Sequence, residues 1–316
     1  MEAERKPRIT TEGRTPLQDV IPLDTPYLVF LDPSSKCNAK CPWCPTGRGD
    51  AKKYYTPGLM DWNLYKKIIN DLCRMPMPVK TLRLYADGES LLHPQFPEMV
   101  QYAKSTGRFG QIDTTSNAIL LTTRLSLSLI AAGLDKIFIS VPRGYSSSYI
   151  RKIKNFYFHS RGKCEVYVKI IGDWMLPKNR EAFMADFGNI SDRIFIENQI
   201  NCWPNFKSGD DPGVGIYGNP LTNVRVCPYI TYSLKINSDG TVSICFLDWS
   251  RKMIIGDLRT DSFIDVWKGN LLRKHQIMHL KGLRYTHPIC RNCKQLTHGM
   301  PDDLDQYAQD ILRRMP

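Results

Sequence analysis

Ten cysteines are distributed unevenly over 316 residues. Cys37, Cys41 and Cys44 fall within CNAKCPWC, with three and then two residues between successive thiols. Three thiolates on one loop form a soft, electron-rich set suited to an iron–sulfur cluster or to zinc. A four-iron cluster held by only three cysteines has one iron open to a small molecule. A zinc ion would need a fourth ligand; the loop contains no histidine, although a distant cysteine would serve. Cys227 and Cys245 flank a predicted hairpin, and Cys290 and Cys293 form a C-x-x-C pair. These four suit either one fully ligated four-iron cluster or a structural four-cysteine zinc site.

The remaining thiols read differently. Cys73 on an apolar helix face and Cys164 at a strand start are expected to pack in the core. Cys202, in NCW after the last predicted barrel strand, lies where a substrate would sit. The isolated His93, His275, His279 and His287 are expected to serve packing or surface roles. Residues 273–285 read as a cationic amphipathic segment.

The elements that must position these groups follow from the apolar rhythm. Strands are predicted over 27–32, 80–87, 110–117, 135–141, 164–172 and 192–200. Helices are predicted between them over 60–75, 96–107, 122–133, 147–160 and 180–189. Such alternation implies parallel strands covered by helices, and places Cys37, Cys41 and Cys44 on the loop after the first strand. Residues 201–221 are rich in Gly, Pro and Asn and read as a connection. Residues 232–248 alternate around Ser238-Asp239-Gly240, a hairpin signal. The expected organisation is an N-terminal extension over 1–24, a barrel over 25–200, a linker and metal-binding domain over 201–300, and a final helix over 301–316.

The opening residues contain no apolar signal segment, and the apolar run 125–134 is too short to span a bilayer. The expected setting is a reducing cytoplasm, that of the host if the source is viral, with no membrane partner. There the thiols imply metal or redox chemistry rather than disulfides. The net charge of +12 favours an anionic partner, a substrate or DNA.

C-x-x-x-C-x-x-C after the first strand of a repeated β/α pattern resembles the radical S-adenosylmethionine (SAM) superfamily, and Trp43 before the third cysteine fits its usual form. LRLYADGESLLHP (82–94) resembles the family's second-strand glycine–glutamate motif, with Asp87 in place of the first glycine. TTSNAILL (114–121) resembles the third-strand motif, with Ala118 where glycine is common. The resemblance implies a partial (β/α)6 barrel of α/β class. It assigns a SAM-binding [4Fe-4S] cluster to Cys37, Cys41 and Cys44, and SAM contacts to Gly88, Glu89, Asn117, Ser140 and Lys169. Residues 254–278 resemble the connecting segment of SPASM and twitch domains. This implies a small hairpin/helix domain with one auxiliary [4Fe-4S] cluster on Cys227, Cys245, Cys290 and Cys293.

In that family one electron splits SAM, and the 5′-deoxyadenosyl radical takes a hydrogen atom from the substrate. An electron donor such as flavodoxin or ferredoxin is implied. The expected reaction is oxidation, or isomerisation or rearrangement, of a small polar substrate, with Cys202 as a candidate hydrogen donor. The alternative is a radical isomerase modifying a base in DNA, of the phage thymidine-hypermodification kind. A peptide epimerase and a zinc-stabilised nucleic-acid-binding module rank below these.

Overall fold

A computed structural model describes residues 2–9, 13–172 and 175–315. Six strands run parallel in sequence order: β1 (Leu28–Leu31), β2 (Val79–Arg83), β3 (Phe109–Ser116), β4 (Lys136–Ser140), β5 (Glu165–Ile171) and β6 (Arg193–Glu197). Helices cover the connections, and their starts are written in the sequence. Asp61 accepts hydrogen bonds from the Asn63 and Leu64 amides at the start of Trp62–Cys73, and Thr122 and Ser146 likewise cap Thr123–Ala131 and Ser147–Ser160. Gly107 and Gly133 end two helices with φ of 64° and 86°, conformations that cost glycine least.

Side chains alternate across each strand. Val29, Leu31, Leu82, Ile112, Ile137, Ile139 and Val166 are buried under the helices against Tyr65, Ile69, Phe96, Phe156 and Phe187. The opposite, inner face carries Phe30, Arg83, Asp113, Phe138, Tyr167, Lys169 and Glu197. Across the sheet Phe30 pairs with Arg83, Arg83 with Asp113, and Ser140 with Lys169. Strands packed on both faces of a parallel sheet are normally apolar throughout. The charged residues among these alternate positions therefore mark a partly polar interior.

The predicted hairpin forms as β7 (Ser233–Ile236) and β8 (Thr241–Ser243), with Gly240 at φ 90° in the turn. It is not separate from the barrel sheet. β7 runs parallel to β1, pairing Phe30 with Lys235, and β8 and β9 (Ile254–Asp257) extend the sheet to nine strands in the order β6-β5-β4-β3-β2-β1-β7-β8-β9. The hairpin signal is local, whereas this pairing joins segments far apart in the chain.

The N-terminal segment, expected as an extended arm, is docked. The Ala3 and Glu4 amides donate to the Gly188 and Asp192 carbonyls, and Ile194 donates back to Glu4, so the arm continues the sheet beyond β6. Leu17–Val20 forms a helical turn, and Leu17 and Ile21 pack with Leu304 and Ile311 near the C-terminus. Among the described residues no helix is long and apolar enough to cross a membrane.

Candidate functional site

The first cysteine trio leaves the C-terminal end of β1 and turns into the short helix Pro45–Arg48. Two glycines make this turn and its neighbour feasible. A Cβ on Gly47 would stand 2.6 Å from the Cys41 amide nitrogen, and one on Gly88 would collide with the Ser34 and Lys36 carbonyl oxygens. Gly88 thus lets the loop after β2 lie directly on the cysteine loop, where the Glu89 amide donates to the Lys36 carbonyl at 2.8 Å.

Glu89 is almost fully buried, and its carboxylate is committed within the protein. It accepts from Ser116 Oγ (2.7 Å), the Asn117 amide (2.8 Å) and the Leu91 amide (3.1 Å). Burial pushes its pKa up against these hydrogen bonds. Asn117 Nδ2 donates to Asn38 Oδ1 at 2.8 Å, tying the end of β3 to the cysteine loop. Ala118 adopts φ 56°, so the position keeps a glycine-like conformation without glycine. Ser140 and Lys169 share the inner face; Lys169 is ion-paired with Glu197 of β6 and lies within electrostatic reach of Cys41. Arg143 stacks over the Trp43 ring at 4.7 Å.

Burial raises the pKa of all three thiols, and they sense one another's charge. Cys37 Sγ accepts from the Ala39 amide at 3.4 Å. The second set is grouped likewise. Cys227 and Cys290 are each pushed up to about 12, first by burial and then by neighbouring thiols, and Cys245 and Cys293 are also raised. Cys245 Sγ accepts from the Leu247 amide at 3.4 Å, and Cys290 Sγ lies 3.9 Å from Met253 Sδ. Among the described residues no three His, Cys, Asp or Glu side chains gather as a single-ion site. The soft thiolate donor set fits iron–sulfur clusters.

Cys202 stands between the two sets. Its nearest charge partners include Cys293, Glu197 and Cys44, and burial pushes its pKa up to about 12. Cys73 and Cys164 pack in the core as expected, as does His93, whose Nε2 meets the Met60 carbonyl at 2.9 Å.

A buried charge cluster, not foreseen from the sequence, links the two cysteine regions. Lys235, fully buried on β7, donates to Asp87 Oδ1 and Oδ2 (2.9 and 3.1 Å) and to the Asp248 carbonyl (2.8 Å). Asp248, three residues after Cys245, accepts from the Lys252 and Met253 amides. Beside them Asp32 is wholly buried, and neither of its carboxylate oxygens has a hydrogen-bond partner. Burial, then Asp87, raises its pKa to about 7, against the pull of Lys235 and Arg251.

A carboxyl that titrates higher in the folded than in the unfolded chain favours folding while protonated, and that advantage is lost as the pH rises from about 4 to 7. Asp32→Asn is therefore expected to melt higher than wild type at pH 8, with the gap narrowing as the pH falls through 7. Thermal midpoints at several pH values check this; a gap that widens toward acid would refute it.

On comparison with known proteins, residues 227–294 match the SPASM family, an iron–sulfur cluster-binding domain. A tungsten-containing aldehyde ferredoxin oxidoreductase cofactor-modifying protein of Pyrococcus furiosus is 30% identical over 113 residues, 36% of this chain and 30% of that protein. The chain thus matches less than a third of that relative's length. An S-adenosyl-L-methionine-dependent 2-deoxy-scyllo-inosamine dehydrogenase of Niallia circulans is 20% identical over 278 residues, 88% of this chain and 96% of that protein. The crystal structure of BtrN in complex with AdoMet and 2-DOIA superposes with a TM-score of 0.62 at 18% identity, covering 89% of this chain and 97% of that one.

Proposed function

We propose that this radical SAM protein with a C-terminal SPASM domain is an enzyme that oxidises a small, polar, hydroxyl-bearing substrate held on the inner face of its sheet. The observation that carries the reading is the placement of three half-buried thiols at the end of β1, beside a charged interior and linked by a buried ion pair to four more thiols. Cys37, Cys41 and Cys44 would hold the SAM-binding cluster, and Cys227, Cys245, Cys290 and Cys293 the auxiliary one. When bound, the first cluster and SAM would supply the radical chemistry that takes one hydrogen atom from the substrate, and the second would accept the remaining electron as a proton leaves to solvent.

The chain's own residues do the rest. Gly88 gives the loop after β2 its close approach, with its backbone free to meet the amino end of SAM. Asn117 fixes the cysteine loop through Asn38, and Ser140 and Lys169 face the carboxylate end from the inner wall. Lys36, Lys40, Arg48 and Lys52 rim an open cleft of about 600 Å³ beside Cys37. That basic rim suits an acidic electron carrier such as flavodoxin.

The position of Cys202, half-buried and within electrostatic reach of Cys44, Glu197 and Cys293, favours isomerisation as a second reading, with its S–H bond as the source of a returned hydrogen atom.

Anaerobic, reduced protein supplied with SAM and a panel of aminocyclitols and amino sugars separates these readings. The expected result is 5′-deoxyadenosine together with a product lighter by two hydrogens, and Cys245→Ala should keep the first and lose the second. A product of unchanged mass that disappears in Cys202→Ala would establish the second reading. Absence of 5′-deoxyadenosine from wild type would overturn both.

A further inference from the structure

Arg8 comes from the N-terminal arm yet reaches into the polar interior. Its guanidinium lies 3.5 Å from Glu197 Oε1 and 5.8 Å from the centre of the Phe138 ring. It is close enough to Arg83 and Asp113 to influence both. One side chain thus touches groups from β4 and β6 and lies within electrostatic reach of groups on β2 and β3. The arm is held there independently of Arg8: Glu4 pairs with Arg193 at 2.8 Å, and Arg193 also donates to the Pro7 carbonyl.

Four buried polar atoms around this point make no hydrogen bond, Arg8 Nε, Arg83 Nε, Asp113 Oδ1 and Thr115 Oγ1, although Arg83 Nε stands 3.4 Å from Asp113 Oδ2, which itself accepts from Gln111 Nε2. Asp113 is fully buried and faces Arg83 across β2 and β3, and Thr115 lies two residues along the same face, paired with Phe138 of β4. Buried polar atoms are rarely left unpaired, because each forfeits its hydration. Glu197, by contrast, already has Lys169 and Tyr217 Oη besides Arg8.

We infer that the arm forms one wall of the substrate site, and that Arg8, Arg83, Asp113 and Thr115 recognise adjacent hydroxyls of a polyhydroxylated ring. The unpartnered set comprises two fixed donors, one acceptor and one hydroxyl that can act as either. A hydroxyl oxygen accepts from a guanidinium N–H while its own proton goes to Asp113, so a vicinal diol or amino alcohol satisfies the set. An anion would meet the two donors but would face Asp113 unfavourably. This inference rests on the reading of the enzyme as one that acts on a small polar substrate, and names its class.

The test uses cluster-loaded protein with SAM and three probes: 2-deoxy-scyllo-inosamine, myo-inositol and glucosamine. Binding is followed by calorimetry in wild type, Arg8→Ala and Arg8→Lys. Lysine keeps the charge opposite Glu197 but lacks Nε. Both variants should weaken probe binding roughly 10- to 100-fold, as expected for losing a charged hydrogen-bond donor, and Arg8→Lys, which keeps a positive charge beside buried Glu197, should not lower the thermal midpoint. Equal affinity in the variants would overturn the proposal. So would a marked loss of stability in Arg8→Lys, which would make Arg8 a structural strut. If wild type binds none of the probes, the interior holds only water and the proposal fails. Formation of 5′-deoxyadenosine by wild type judges the radical chemistry separately.

Discussion

Alanine at Cys37, Cys41 or Cys44 is expected to abolish 5′-deoxyadenosine formation and to remove about half of the bound iron, while leaving the auxiliary set loaded. Each thiol would hold its own iron, and the iron left open to SAM would depend on the three others being secured. Two thiols on a loop of this geometry do not retain a four-iron cluster, so the expected loss is total, well beyond the roughly 10- to 100-fold typical of residues that only support a ligand. Alanine at Cys227 should show the converse: a similar loss of iron with 5′-deoxyadenosine retained. Iron and sulfide analysis together with chromatography of the nucleoside product checks both. Intact turnover in any variant of the first trio would overturn the assignment.

Lys235→Met is expected to be the most destabilising single change outside the cysteines. The ammonium group is fully buried and is the closest cation to Asp87; its loss strands that carboxylate and leaves Asp32 with one fewer positive neighbour. Removing one partner of a buried ion pair costs about 3–5 kcal/mol, because the other charge remains without water. Removing both charges with Lys235→Met and Asp87→Leu should restore much of that loss, since a well-packed apolar pair is often as stable as the ion pair. Soluble yield and denaturation midpoints of the single and double variants test this; a single variant as stable as wild type would refute it.

The chemistry was more legible than its setting. Thiol spacing can be read along the chain because ligands on one loop must be close in sequence. The helices were equally readable: capping residues such as Asp61 and stop glycines such as Gly133 act locally. Ser140 and Lys169 were placed on adjacent strands, and both lie on the inner face. Arg8 carried no such signal. A basic residue in a polar arm reads as solvated, and only tertiary pairing with β6 brings it inside. Arg83, Asp113 and Glu197 did leave a trace, since charges at alternate positions of strands flanked by helices are out of keeping with a solid apolar core. The Asp87–Lys235 pair joins residues 148 apart and could not be anticipated from either segment.

The parallel pairing of β1 with β7 also orders events during synthesis. Leu28 waits for Ser233 as its neighbour, so one edge of the strand that bears the cysteine loop stays unpaired until most of the polypeptide has left the ribosome. Iron delivered before then meets a half-built pocket. A chain truncated ahead of residue 233 is therefore expected to accumulate as an iron-poor, aggregation-prone species however much iron and sulfide the cell supplies.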